Sequence, residues 1–168
     1  MNATKHDMRT VMGHFATGVC VVSTRAGDGS AVGTTVNAVT SVSLEPPLLL
    51  VCLAHDSETL SAVEASLHFA VSILAESQQE HSDRFAAKGE QARAQDVEFG
   101  EHDPGLPCLP DALATIACRV SAIHRAGDHM IVIGEALSMS RAADDVEPLL
   151  FFRGSYSRLE RRQWRSAA

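Results

Sequence analysis

The sequence lacks an excess of positive charge. Its 14 Lys and Arg are outnumbered by 21 Asp and Glu, giving a net charge of −7 and a pI near 5.5. Phosphate backbones need a basic surface, so this balance excludes a general nucleic-acid binder. The basic residues cluster only at Arg158, Arg161, Arg162 and Arg165, which read as a solvated tail. Long apolar runs are also missing. The longest, Pro46 to Ala54, is far short of the ~20 residues a membrane-spanning helix requires. The first residues do not follow the charged, apolar and small-residue order of a signal peptide. Cys20, Cys52, Cys108 and Cys118 form neither a CxxC pair nor a zinc-ligand spacing. They are expected to be reduced, mostly buried thiols in a cytoplasmic protein.

Several catalytic signatures are absent as well. Gly27 to Gly33 (GDGSAVG) places its last glycine one residue late for GxGxxG, and a strand follows it rather than a helix. It therefore cannot present a helix N-terminus to a pyrophosphate, and any dinucleotide must bind outside a Rossmann unit. There is no P-loop, HExxH or GxSxG. None of the eight histidines pairs with an acid at metal-ligand spacing, so no metal is expected.

What is present is β-rich. Hydrophobic residues make up 45% of 168, enough for one domain with a real core, expected over about 8–159 with a polar basic tail at 160–168. Met8, Val11, Met12 and Phe15 fall at helical spacing and predict a short amphipathic helix. Val19 to Thr24 reads as a strand and Arg25 to Ala31 as a turn. Val32 to Leu44 is rich in Val, Thr and Ser, favouring two short strands with a break. Pro46-Pro47 interrupts the ladder, and Leu48 to Leu53 resumes it. A helix over about 57–65, a strand over 68–74, and a helix opened by a Ser77/Glu80 capping box follow. Residues 88–110 read as a long loop. Thr115 to Ile123 and Met130 to Met139 are strands joined around Gly127-Asp128, and Pro148 to Phe152 is a last apolar segment. Strands that do not alternate with helices argue for an antiparallel barrel with short helical insertions.

Candidate chemistry concentrates in Thr34 to Ser43 (TTVNAVTSVS). Thr34, Thr35, Asn37, Thr40 and Ser41 can hydrogen-bond the polar edge of a planar heterocycle and a phosphate beside it; equally, they suit a half-buried strand with hydroxyls toward solvent. Ser57 and Thr59 open a helix, where free N–H groups favour an anion or where Asp56 or Ser57 simply caps. His129 follows the Gly127-Asp128 turn and can donate to a nucleotide's phosphate or amide. Arg84 and Phe85 lie on the later helix, Phe85 either in the core or edge-on to a ring system.

Four blocks in this order resemble the flavin reductase family with the FMN-binding split-barrel fold. They are Phe15-Ala16-Thr17-Gly18-Val19; Gly33 to Pro47; Phe69 to Leu74 with Gln78 and Phe85-Ala86; and Gly127-Asp128-His129 with Ile133-Gly134-Glu135, then Glu147 to Phe152, Gly154 and Tyr156. The resemblance implies a mainly β, antiparallel six-stranded split barrel that forms a homodimer. It implies FMN or FAD along Thr34 to Ser43 (including Ala38), with Cys52, Leu53, Ala54, Ser57 and Thr59 at the ring edge and phosphate. Arg84, Phe85 and Tyr156 complete the expected flavin contacts. Gly127, Asp128 and His129 are expected beside NADH or NADPH. The implied reaction is hydride transfer from nicotinamide to flavin, with reduced flavin supplied to a partner flavin-dependent monooxygenase. His129 would position the nicotinamide and would not act as an essential acid or base. A storage or sensor protein binding flavin or haem on the same barrel is the alternative. Two departures are visible: Val39 stands where the family often has Phe, and Ser72 where it often has Asn.

Overall fold

The computed structural model describes residues 3–87, 97–143 and 145–159. The expected basic tail at 160–168, with Arg161, Arg162 and Arg165, lies outside them, as does 88–96 of the expected long loop.

Its main sheet forms from β2 (Cys20–Arg25), β3 (Ala31–Val36), β4 (Val39–Leu44), β5 (Pro47–Ala54), β6 (His68–Ile73), β9 (Ala114–Ala126) and β10 (His129–Arg141). All its pairings are antiparallel, in the order β3-β2-β6-β9-β10-β5-β4. This sheet has seven strands where six were expected. The hydroxyl-rich stretch breaks at Asn37-Ala38, and its halves become separate edge strands, β3 beside β2 and β4 beside β5. A small sheet joins β1 (Thr17–Gly18), β11 (Leu150–Phe152) and β12 (Ser155–Ser157). Part of the expected long loop is regular: β7 (Gly100–His102) and β8 (Leu106–Cys108) form a hairpin. Buried hydroxyls anchor this region to the sheet. Ser23 donates to the Pro107 carbonyl at 2.6 Å, and Ser72 accepts from the Leu109 N–H at 3.0 Å.

The pleat sorts side chains by parity. Leu49, Val51 and Leu53 of β5 face inward with Val22, Phe69, Val71, Cys118 and Val132. Helix α2 (Glu58–Ser66) adds Leu60 and Val63 to this core. A second core, with Val21, Phe85 and Leu109, fills the other face of β2 under α3 (Gln79–Ala86). No Ser77/Glu80 box opens that helix. A 3-10 turn over Glu76–Gln78 precedes it, and the Gln78 side chain accepts from the Ala75 N–H at 3.1 Å. The reaching side chain is thus Gln78, three residues after Ala75, so the chain is capped two residues earlier than a Ser77/Glu80 box would place it.

Helix α1 (Lys5–Met12) forms with a Thr4/Asp7 capping box, but Phe15 lies beyond its end. None of its residues is buried, and Met8, Val11, Met12 and Phe15 are all exposed. All four cysteines are free; burial pushes the thiols of Cys20 and Cys118 up to about 12. Among the described residues, no helix is long and apolar enough to cross a membrane, and no three His, Cys, Asp or Glu side chains cluster to hold a metal.

Candidate functional site

The candidate residues converge at one end of β5 and β10. Their antiparallel register sets His129 opposite Ala54 and Ile131 opposite Cys52, while β4 sets Thr40 opposite Leu50. Directly opposed residues share a face, so Thr40, Leu50, Cys52, Ala54, His129 and Ile131 line the outward side. The Cys52 N–H donates to the Ala38 carbonyl at 3.1 Å and brings Ala38 beside them. Small side chains at Ala38, Cys52 and Ala54 leave a shallow floor between Leu50 and Ile131. The exposed polar groups of Asn37 and Thr40 lie at one margin, and His129 lies at another. An outward apolar face with polar groups at its margins is chemically suited to a planar heterocycle with polar edges.

The margin near His129 is built firmly. A two-residue turn, Gly127-Asp128, closes β9 and β10, with Gly127 at φ 64° where a side chain would strain the backbone. The His55 N–H donates to the Asp128 carbonyl at 3.1 Å, tying the turn to the β5–α2 connection. His129 Nδ1 lies 2.8 Å from Asp128 Oδ1. The histidine's hydrogen bond and charge, with Lys5 of α1 contributing, hold the Asp128 carboxyl below its usual range.

Not every expected residue reaches this floor with its side chain. Leu53 is 1% exposed and faces the core, so only its backbone is available there. Ser41 pairs with Leu49 on the inward side, at the sheet's open edge. Ser57 caps α2 by accepting from the Leu60 N–H at 3.1 Å, the plain capping use of this residue. Thr59 is 3% exposed in the first turn of that helix.

A second group gathers around β3 and α3. Thr34 and Thr35 are neighbours in a strand and point to opposite faces. Thr35 donates to the Ser82 carbonyl at 2.7 Å. Phe85 is 2% exposed, with its ring against Gly33 and edge-on to Phe99. It is a core residue here. Tyr156 donates to Asp83 at 2.9 Å and meets the Ser82 hydroxyl at 2.8 Å. Burial, the largest cause, raises its phenol above the ordinary value. Arg84 is exposed on α3. Two clefts lie beside Glu76 and Arg158, which pair at 2.8 Å, and of the expected residues only Tyr156 lines either.

Sequence reasoning missed Leu50 and Ile131. Both were within reach, since Leu50 lies two residues from Cys52 on one face of a strand and Ile131 two residues from His129 on another.

The mainly antiparallel fold without a Rossmann unit is that of the flavin reductase split barrels. Residues 12–160 match the flavin reductase like domain, and the chain belongs to that family. It is 38% identical over 152 residues to the flavin-dependent monooxygenase reductase subunit HsaB of Rhodococcus jostii, covering 90% of this chain and 76% of that one. It is 41% identical over 155 residues to the FMN reductase (NADH) SmoA of Agrobacterium fabrum, covering 91% and 85%. Among solved structures, the NADH:FAD oxidoreductase SgcE6 of Streptomyces globisporus, in complex with NAD and FAD fragments, matches with a TM-score of 0.85 at 32% identity, covering 93% of each chain.

Proposed function

We propose that the chain is an NADH-dependent flavin reductase that supplies reduced FMN or FAD to a partner flavin-dependent monooxygenase. The observation that carries this is the floor of Ala38, Cys52 and Ala54 with His129 at its margin. The relatives' names support NADH over NADPH, and they include a monooxygenase reductase subunit.

Flavin, when bound, supplies the acceptor of a hydride from the nicotinamide. The chain's own residues orient and desolvate. Leu50, Cys52, Ala54 and Ile131 exclude water from one side of a planar ring. Ala38, Asn37 and Thr40 supply polar contacts at its edge, and the first turn of α2, at Thr59, takes the phosphate on its backbone N–H groups, the Ser57 N–H being already donated to the Ala54 carbonyl. Thr34, Arg84 and Tyr156 would serve the remainder of the flavin nucleotide. His129 positions the nicotinamide nucleotide. Holding two rings in reach is the protein's main contribution, and no side chain needs to act as acid or base.

The floor is open on its outer side. Half-exposed Leu48, Leu50, Ile131 and Ile133 continue it. A second copy of the chain would wall the site, and a cytoplasmic homodimer is the form in which it works. Mixing protein with NADH or NADPH and FMN or FAD, and following the absorbance of the reduced nicotinamide, tests the activity. Oxidation with NADH is expected; none with any pair sinks the proposal. Light scattering on the eluted protein tests the dimer, and a monomer at assay concentrations counts against it.

A further inference from the structure

We propose that Asp128 is a positioning residue that commits His129 to one tautomer, leaving Nε2 as a hydrogen-bond acceptor for an amide N–H of the nicotinamide nucleotide. This rests on the reading that His129 faces that nucleotide. The chemistry follows from the two side chains. An ionised carboxylate only accepts hydrogen bonds, and Asp128 Oδ1 lies 2.8 Å from His129 Nδ1. The proton must therefore sit on Nδ1. In the neutral ring the remaining lone pair is then on Nε2, since the bond made by one nitrogen sets the role of the other. An acceptor at that place suits the carboxamide of a nicotinamide, which carries two N–H donors.

The surroundings fix the arrangement. The Asp128 main chain is held by the His55 N–H at 3.1 Å, and His129 is held in register opposite Ala54 and Ala126. The turn's positive φ falls on Gly127 and not on Asp128. A substitution at 128 therefore leaves the backbone unstrained, and the carboxylate is free to serve its neighbour. The carboxylate is 81% exposed and the imidazole 47%, so the imidazole's other edge remains open to a ligand. The hydrogen bond with His129, the largest cause, holds the Asp128 carboxyl below its usual range, so the group is ionised and able only to accept.

The test uses the full chain with flavin present. Long-range proton–nitrogen NMR correlations of the His129 ring, recorded at alkaline pH, report the tautomer without any turnover. The Nδ1–H form is expected in the wild-type protein, and a shift toward Nε2–H in Asp128→Ala. In the same variant the KM for NADH should rise about fivefold, the worth of one ordinary hydrogen bond, with kcat and flavin affinity held. Asp128→Asn keeps a carbonyl acceptor and should recover most of the loss. An Nε2–H ring in the wild type overturns the proposal, because His129 would then offer a donor, as to a phosphate. So does an unchanged KM in Asp128→Ala when His129→Ala raises it. If His129→Ala also leaves the KM unchanged, the nicotinamide reading itself falls.

Discussion

The two faces of β5 make opposite uses of one strand. Inward, Leu49, Val51 and Leu53 are sealed among Phe69, Val71 and Val132. Outward, Leu48, Leu50, Cys52 and Ala54 remain half-exposed over a floor with nothing from the described chain closing it. The pleat separates stability from function at a spacing of one residue, so neighbouring substitutions should fall into different classes of effect.

The largest effect is expected on the sealed side. A Cβ at Gly134 would come within 2.5 Å of the Phe69 ring and 2.9 Å of the Cys118 Cβ, all in tightly packed surroundings. Gly134→Ala should therefore cost about 3 kcal/mol of folding stability, read from the urea midpoint, while the folded fraction still binds flavin. Unchanged stability would break the comparison from the inner side. On the outer side, Leu50→Glu should weaken the proposed homodimer by about 2 kcal/mol and lower flavin affinity, with the urea midpoint of the monomer little changed. Light scattering and flavin titration check this, and a large loss of monomer stability would show that the outward face is core after all.

His129→Ala should raise the KM for NADH about tenfold, or ~1.4 kcal/mol, and leave flavin affinity alone. Equal loss of both would remove the division of labour across the floor. Thr35→Val deletes the donor to the Ser82 carbonyl and should cost about 1 kcal/mol of stability, with little change in flavin affinity, because that hydroxyl faces α3. The smallest effect near neutral pH concerns the thiols. Burial raises Cys20 and Cys118 to about 12. Their folded-state pKa lies above the unfolded one, so the native state holds more protons between these values. Their stabilisation is complete below about pH 9 and declines as pH rises toward 12. Alkylation of the native protein should therefore modify half-exposed Cys52 first, and Cys20 and Cys118 only on unfolding.

Much of the barrel was legible in the residues. The Gly127-Asp128 turn set the β9–β10 register, and Val19 to Thr24 and Leu48 to Leu53 fell on β2 and β5 almost as expected. The site was legible in outline: Ala38, Thr40, Cys52, Ala54 and His129 do come together. Other assignments misplaced side chains because they read a segment where parity mattered. Thr34 and Thr35, or Leu53 and Ala54, are adjacent in sequence and opposed in direction. The Lys88 to Pro110 stretch, whose turn-rich composition suggested only a loop, carries the β7–β8 hairpin, because Ala70 and Ala117 offer a flat surface on which Leu106 and Cys108 pack.

The sequence by itself determined the β-rich class, the absence of a Rossmann unit, the family, and the turn that carries His129. These are local properties of residue type, spacing and backbone freedom. Only the tertiary structure decided that the hydroxyl-rich stretch divides into the two edges of the main sheet, that Phe85 belongs to the core, and that the His55 N–H ties the Gly127-Asp128 turn to β5. Each depends on which strands pair and which face a side chain takes, and such long-range partners are chosen by burial across the whole barrel.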